Sequence, residues 1–105
     1  MDFNDPSFRE LLDALHDGVY ITDADGITLK VNGAYERLTG LRSEDVVGQH
    51  MQALVEQGVI SQSVSLRVLK EGRALSLMQS VSQGKRLLVS GTPILDATGQ
   101  VRYVV

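Results

Sequence analysis

The stretch that decides the fold is residues 17–40, which read DGVYITDADGITLKVNGAYERLTG. Its first half predicts a β-hairpin, because residues 19–23 are rich in β-branched and aromatic side chains and an Asp-Gly turn follows them. Residues 27–31 alternate apolar and polar side chains, which predicts a second strand with one polar face. Asn32 is a typical N-cap residue, and a glycine ends the short helix expected over residues 33–39. The segment therefore predicts two paired strands that lead directly into a helix.

An amphipathic helix is expected before the hairpin. Asp5 is a suitable N-cap, and Pro6 suits the first helical position because its missing N–H is not needed there. Apolar side chains recur on one face of this helix at helical spacing, namely Phe8, Leu11, Leu12 and Leu15. The chain is thus expected to divide into an N-terminal flanking helix over residues 1–17 and a domain over residues 18–105.

The rest of the chain predicts short helices followed by strands. A helical turn is expected over residues 43–48, and the length of residues 58–72 favours a helix although part of that stretch also alternates like a strand. Strands are expected over residues 74–81, 85–95 and 100–105, with a turn at Ser82, Gln83 and Gly84. Strands at both ends with helices between them predict an α+β fold, with one antiparallel sheet of five strands and helices on one face. The chain stops inside its last strand, as a piece of a longer protein would.

Composition excludes several classes of protein. With 43% hydrophobic residues and a net charge of −3, the 105 residues can form one small core and differ from disordered chains. The ten Lys and Arg residues are scattered, so direct contact with nucleic acid is not expected. Without Cys, the chain has no disulfide, Cys-bound metal or thiol nucleophile. It shows neither a signal peptide nor the run of ~20 apolar residues that spans a bilayer, and a cytoplasmic protein without membrane contact is expected.

Several short motifs, in their order and spacing, resemble a PAS domain. They are Asp17-Gly18-Val19-Tyr20-Ile21-Thr22-Asp23, Asp25-Gly26, Asn32, Leu38-Thr39-Gly40, Glu44-Asp45 and Gly48, followed late in the chain by Pro93-Ile94, Asp96 and Gly99. The resemblance covers residues 8–105. It implies an antiparallel sheet of strand order 2-1-5-4-3, helices that enclose a cavity on one face, and a sensory role in signal transduction.

A narrower resemblance concerns residues 48–60 and 84–93. These are similar to the PAS domain that precedes the ATPase in bacterial sigma-54-dependent transcriptional activators. The similarity implies a downstream AAA+ ATPase and a DNA-binding domain, controlled by a small metabolite bound to the PAS domain. Two other functions stay open, namely the PAS module of a sensor histidine kinase and a ligand-free module that serves protein interaction or dimerisation.

PAS domains hold haem, flavin, small metabolites or no ligand, and the sequence bears on each. The absence of Cys excludes a covalently attached chromophore. Haem is disfavoured because the predicted long helix over residues 58–72 contains no His, and the chain's two histidines are His16 and His50. Noncovalent flavin is disfavoured because the chain has no Trp and few aromatic stacking partners. No cofactor is therefore expected.

A small-molecule cavity is expected on the inner face of the sheet. The candidate lining residues are Tyr20, Tyr35, His50, Met51, Ile60, Val64, Val68, Gln79 and Val89. The resemblance directs Val89 inward and its neighbours Leu88 and Ser90 outward. Plain core packing explains the apolar members equally well, because small-molecule sites and cores are both mainly apolar.

No catalytic or metal site is expected, and the domain is predicted not to be an enzyme. Ser43, Asp45 and His50 are close in sequence, but Ser43 and Asp45 are better explained as residues that start a helix. For His50, capping a turn is the main alternative to lining the cavity. The chain has no Gly-rich phosphate loop and no His and acid spacing typical of a metal site.

The apolar face of the first helix requires a partner. Phe8, Leu11, Leu12 and Leu15 could pack within the chain, where the last strand presents Val101, Tyr103 and Val105 on its outer face. The resemblance instead implies that the same four residues form a homodimer interface. Of the two, the homodimer interface is the one that we expect from the sequence.

Overall fold

The predicted hairpin opens the domain in the computed structural model, which describes residues 2–81 and 84–105. Strand β1 spans Tyr20–Asp23 and pairs in antiparallel fashion with β2, Thr28–Val31. The chain reverses between them at Gly26, whose φ of +84° lies in the left-handed region that glycine enters without steric cost.

The helices of the described residues begin at side-chain caps in most cases. They are α1 Pro6–Ala14, α2 Gly33–Thr39, α3 Ser43–Val46, α4 Met51–Glu56 and α5 Val64–Glu71. Asp5 caps α1 and Asn32 caps α2, and both predictions are confirmed. The predicted bounds of α2 are also confirmed, because the left-handed Gly40 ends this helix.

The remaining strands complete an antiparallel sheet in two sections. They are β3 Leu75–Ser80, β4 Arg86–Gly91, β5 Pro93–Leu95 and β6 Val101–Val104. One section has the order β2-β1-β6-β5, and the other is the pair β3-β4. Since β4 and β5 together take the place of the one strand predicted over residues 85–95, the expected order of strands and the α+β PAS-like fold are confirmed. In the turn predicted at Ser82–Gly84, residues 82 and 83 lie outside the described residues.

The prediction of a single strand over residues 85–95 is wrong in one respect, because Thr92 separates β4 from β5. Up to Gly91 the strand pairs with β3. Thr92 then donates its N–H to the carbonyl oxygen of Val105 at 2.8 Å and accepts the amide of Val105 at 3.0 Å. Pro93 follows, and its lack of an N–H is tolerated where a strand changes partners. The chain therefore moves from one section of the sheet to the other at this point.

The helix predicted over residues 58–72 is also corrected, because it begins only at Val64. Ser63 caps it, and its Oγ accepts the amide of Leu66 at 3.2 Å. Ahead of the cap, Ile60 forms a β-bridge with Val81, so its backbone extends the edge of β3 rather than a helix. The separate helix α4 precedes this bridge. Alternation and helical spacing coexist in this stretch because it contains both an extended and a helical part.

Of the polar face predicted for β2, Thr28 and Asn32 are buried and Lys30 is half-buried. Thr28 is 1% exposed and Asn32, directly after the strand, is fully buried. The segment before α4 lies along β2, since Gly48 donates its N–H to the carbonyl oxygen of Thr28 and Thr28 donates to that of Gln49, both at 2.9 Å. The buried side chains of Thr28 and Asn32 are tolerated because both are hydrogen-bonded, Thr28 to Tyr20 and Asn32 to four backbone groups. The main core lies between this region and the helices, and its buried members are Val31, Tyr35, Val46, Met51, Leu54, Ile60 and Val81.

Candidate functional site

A cavity of about 490 Å³ lies on the inner face of the sheet, beside α2, α4 and α5. Six of the nine residues predicted to line it do so, namely Tyr20, Tyr35, Met51, Val64, Gln79 and Val89. They come from β1, the three helices, β3 and β4, so the lining forms only when the whole domain is folded. This volume suits a small organic molecule.

Three predicted lining residues lie elsewhere. Ile60 and Val68 are fully enclosed by protein, with exposures of 2% and 0%. Val68 packs so close to the sheet that a Cβ on Gly91 would lie 2.8 Å from its Cγ2. His50 is the N-cap of α4, where its Nδ1 accepts the amide of Gln52 at 3.0 Å, and its ring faces Gly26. The alternative function of His50, capping a turn, is therefore the observed one.

Tyr20 supplies the first polar group of the cavity. Its hydroxyl is hydrogen-bonded to Oγ1 of Thr28, and this Oγ1 contacts Sδ of Met51 at 3.7 Å. Burial raises the pKa of Tyr20 to about 12, although the hydrogen bond to Thr28 opposes part of the increase. The hydroxyl thus stays neutral at physiological pH and is held in a fixed position by its neighbours.

Tyr35 supplies the second polar group. Its ring packs edge-to-face against Tyr20 with the ring centroids 5.1 Å apart. Burial, with a smaller contribution from Tyr20, raises the pKa of Tyr35 above its ordinary value. No hydrogen bond joins this hydroxyl to any residue within 2–81 or 84–105, which leaves it able to bond a guest in the cavity.

Gln79 supplies the third polar group, from β3. The residue is 5% exposed, and its Nε2 donates to the carbonyl oxygen of Gln62 at 2.8 Å. This bond attaches β3 to the segment before α5 and fixes the orientation of the amide. The amide oxygen of the side chain can accept a hydrogen bond, and the second N–H of Nε2 can donate one.

Sequence reasoning missed a second group of lining residues at the sheet. Gly18 and Val19, which lead into β1, line the cavity together with Leu88 and Ser90 of β4. Leu88 and Ser90 were expected to face outward, and both are indeed exposed. They nevertheless border the cavity because β1 and β4 are not joined by a strand at this level. No pattern within one segment signals such an opening, since it depends on how separate strands pair.

The residues proposed for a dimer interface divide into two pairs. Leu12 is 6% exposed, so it belongs to the core of its own chain. Phe8 packs against Phe3, whose ring in turn contacts Tyr103 of β6 with centroids 5.2 Å apart. This is the packing within the chain that the sequence left as an alternative. Leu11 and Leu15 remain exposed, by 60% and 42%.

The described part of the chain has neither a metal-binding cluster nor a membrane-spanning helix. Within residues 2–81 and 84–105, no three His, Asp or Glu side chains form a group able to hold a metal ion. In the same residues, no helix has the length and apolar character needed to cross a bilayer. Among the described residues that line the cavity there is neither His nor Cys, so the lining offers no imidazole to haem iron and no thiol for a flavin adduct.

Comparisons with known proteins agree on the fold. The family model for the PAS fold matches residues 7–105. No curated protein matches the chain. A domain of a sensor histidine kinase/response regulator from Geobacter sulfurreducens is 23% identical, with a TM-score of 0.59 over 98% of this chain and 97% of that one. The PAS domain of nitrogen regulation protein NR(II) from Vibrio parahaemolyticus is 20% identical, with a TM-score of 0.60 and 91% of each chain covered.

A larger protein shares the same fold over part of its length. An RNA-binding Light-Oxygen-Voltage receptor is 18% identical to this chain and has a TM-score of 0.68. The match covers 97% of this chain but 31% of that receptor. At these identities the solved structures establish the architecture alone.

Proposed function

The chain belongs to the PAS family, and on that premise we propose that its inner cavity binds a small uncharged molecule whose presence regulates an attached protein. The family assignment rests on a match from residue 7 to residue 105, and it confirms the PAS resemblance found in the sequence. PAS domains are sensory modules of signal-transduction proteins. The single observation that carries the ligand proposal is the cavity of about 490 Å³ with polar groups in an otherwise apolar lining.

The lining favours an uncharged ligand with few hydrogen-bonding groups. Tyr35 offers a hydroxyl that can donate or accept, and Gln79 offers an amide oxygen that accepts. The raised pKa values of Tyr20 and Tyr35 favour neutral hydroxyls there. Among the described residues of the lining, Asp17 is the one that is charged, and it is exposed. An anionic ligand would have to leave water without an opposite charge to meet it, which is costly, and a cationic ligand would meet only the exposed carboxylate of Asp17, whose attraction is weakened by solvent.

The regulated protein is proposed to be a bacterial sigma-54-dependent activator with a AAA+ ATPase and a DNA-binding domain. The similarity of residues 48–60 and 84–93 to the PAS domains of such activators supports this proposal. A sensor histidine kinase is the second candidate, favoured by the shared fold of a histidine kinase domain from Geobacter sulfurreducens. We further propose that this domain carries out no catalysis, since His50 caps a helix. We also propose that it holds no haem or flavin, since the described lining has no His or Cys and its only aromatic rings are those of Tyr20 and Tyr35.

Thermal unfolding in the presence of a library of neutral metabolites tests ligand binding. A true ligand stabilises the folded state by RT ln(1 + [L]/Kd), so the melting temperature rises with the logarithm of its concentration relative to Kd. Tyr35→Phe removes a hydroxyl that has no partner among residues 2–81 and 84–105 and leaves the ring in place. The affinity of a ligand bonded there should therefore fall by about five- to tenfold, from the ~1 kcal/mol of one hydrogen bond.

Tyr103→Phe is the matched control, because its hydroxyl is lost outside the cavity. No change in melting temperature with any compound would contradict the proposal. Equal effects of the two substitutions on the affinity of a ligand would contradict the assigned role of Tyr35.

A ligand-free dimerisation module is the alternative, and the exposed Leu11 and Leu15 favour it. A dimer that uses α1 should dissociate when Leu15 is replaced by Asp. Val47 is 41% exposed against 42% for Leu15 and lies at the end of α3, so Val47→Asp is the control. Sedimentation velocity should show dimers for the parent chain and Val47→Asp and monomers for Leu15→Asp. A monomeric parent chain would rule out dimerisation through α1.

A further inference from the structure

Thr22 of β1 carries a buried hydroxyl without a hydrogen-bond partner. The residue is 0% exposed, and its Oγ1 bonds no atom of residues 2–81 or 84–105. Among these described residues, it is the one buried side-chain polar atom in this condition. Such a hydroxyl costs free energy, because it leaves its hydrogen bonds to water without replacing them. The unpaired Oγ1 therefore points to a second arrangement of the domain in which a neighbour bonds it.

Thr28 of β2 is the neighbour placed to do so. Thr22 and Thr28 are partners in the register of β1 and β2, so their side chains leave the sheet on the same face. The N–H and C=O of Thr28 bond residues 48 and 49, away from β1, which makes this a pair without mutual backbone bonds. Side chains approach more closely in such pairs. With Cβ atoms ~4.5–5.5 Å apart, two threonine hydroxyls on facing strands can bond each other.

The hydroxyl of Thr28 is turned to other partners in the structure. It is hydrogen-bonded to the hydroxyl of Tyr20, and it donates to Sδ of Met51 at 3.7 Å. A thioether sulfur is a weak acceptor, so the contact with Met51 is easily given up. The bond to Tyr20 is therefore the main interaction that keeps Thr28 from bonding Thr22.

Rotation of the Thr28 side chain about Cα–Cβ exchanges one bond between hydroxyls for another. The staggered positions of threonine direct Oγ1 to different sides, so the exchange needs no movement of the backbone. In one position Thr28 bonds Tyr20 and leaves Thr22 unpaired. In the other it bonds Thr22 and leaves the hydroxyl of Tyr20 to the cavity. Each position contains one such bond, so the two are close in free energy until Tyr20 gains another partner.

From this balance we infer that Thr28 is a two-position switch between Tyr20 and Thr22, and that a guest bonded to the hydroxyl of Tyr20 moves it to Thr22. The role of the guest rests on the proposed function. A ligand shifts an equilibrium only if it binds one state better than the other, and the free hydroxyl of Tyr20 supplies that difference. The switch also links the cavity to the centre of the sheet, because Thr22 pairs on its other side with Val104 of β6.

A double-mutant cycle of Tyr20→Phe and Thr22→Val tests the switch without a ligand. Tyr20→Phe removes the hydroxyl that holds Thr28 and so imitates a guest that has taken it. Valine keeps the shape of Thr22 without its hydroxyl. In the parent chain, Thr22→Val should leave the equilibrium constant for unfolding unchanged or lower it, because the lost hydroxyl is unpaired. In the Tyr20→Phe chain it should raise that constant by about fivefold, the equivalent of one hydrogen bond.

Urea unfolding measures all four chains of the cycle. Tyr103→Phe provides the matched background, because its ring packs against Phe3 and its hydroxyl lies outside the cavity. In that background Thr22→Val should act as it does in the parent chain. The same effect of Thr22→Val in the parent and the Tyr20→Phe chains would overturn the inference. That result is expected if a buried water bonds Thr22 in both.

The χ1 angle of Thr28 gives a direct reading of the switch, through the three-bond couplings of its Cγ2 to the backbone nitrogen and carbonyl carbon. This angle should be the same in the parent and Tyr103→Phe chains and different in the Tyr20→Phe chain. One χ1 angle common to all three would overturn the switch. Neither measurement uses a ligand, so a failed switch leaves ligand binding in the cavity intact, and a failed search for ligands leaves these two results valid.

Discussion

The buried amide of Asn32 joins three elements of the domain, and its removal should be among the most destabilising single changes. Its Oδ1 accepts the amides of Val19 at 2.8 Å and Tyr35 at 3.0 Å. Its Nδ2 donates to the carbonyl oxygens of Leu12 at 2.8 Å and Asp17 at 3.0 Å. One side chain thus holds the end of α1, the entry to β1 and the start of α2.

The magnitude follows from what each bond does. Loss of the cap on α2 costs ~1 kcal/mol. The other three backbone groups lose a partner in the interior, at ~1 kcal/mol each where water can enter the space that the side chain leaves, and more where it cannot. Asn32→Ala should therefore lower the free energy of unfolding by about 4 kcal/mol, a large part of the ~5–15 kcal/mol of an ordinary domain. Asn32→Asp keeps the two acceptor bonds but turns a carboxylate oxygen toward two carbonyl oxygens, and it should also be destabilising.

Urea unfolding followed by circular dichroism measures these differences. Ser63→Ala is the control, because Ser63 is also a buried N-cap but accepts one amide only, that of Leu66. Its cost should be about 1 kcal/mol. The reasoning is refuted if Asn32→Ala costs no more than Ser63→Ala, since the three bonds other than the cap would then contribute nothing.

Three further predictions concern single contacts. His50→Ala should lower the free energy of unfolding by ~1 kcal/mol in urea, because α4 loses its cap. His50→Asn should lose much less, because Asn is a good N-cap residue. Equal losses in the two variants would argue against a capping role for His50. Gly91→Ala should lower the free energy of unfolding by ~1–3 kcal/mol, because the new Cβ would lie 2.8 Å from Cγ2 of Val68. Val68→Ala in the same chain should relieve this clash. If the losses of the two substitutions are additive in urea unfolding, the clash is not the cause. The free energy of unfolding should fall as pH rises from 10 to 12, because Tyr20 ionises in the unfolded chain near its ordinary pKa of 10.0 and in the folded chain at about 12. Tyr20→Phe should make this decrease shallower, and Tyr103→Phe is the control. Equal slopes of the free energy of unfolding against pH in the two variants would contradict the prediction.

Local patterns in the sequence were sufficient for the elements whose ends carry their own signals. The bounds of α2 were predicted because Asn32 and Gly40 act on backbone groups within a few residues of themselves. The same holds for the start of α1 at Asp5. The order of the strands came from the resemblance to the PAS family, and the family match and the sheet agree with it.

The division of residues 58–72 and of residues 85–95 could not be predicted in this way. Ile60 is extended because it bridges Val81, and the strand that ends at Gly91 changes partners because Thr92 meets Val105. Each of these contacts joins residues separated by more than ten positions along the chain. Alternation within a segment reports which faces are apolar, but it carries no information on which distant strand will supply the hydrogen bonds.

The sequence and the tertiary structure also determined different properties of the candidate site. The sequence by itself determined the chemical limits: without Cys there is no covalent chromophore, and Tyr20 and Gln79 are candidate polar groups for the cavity. Only the tertiary structure decided that His50 caps a helix, that Leu12 is buried in its own chain, and that the cavity opens between β1 and β4. Residue types fix what chemistry a chain can perform, whereas burial and free backbone groups are properties of segments brought together by folding.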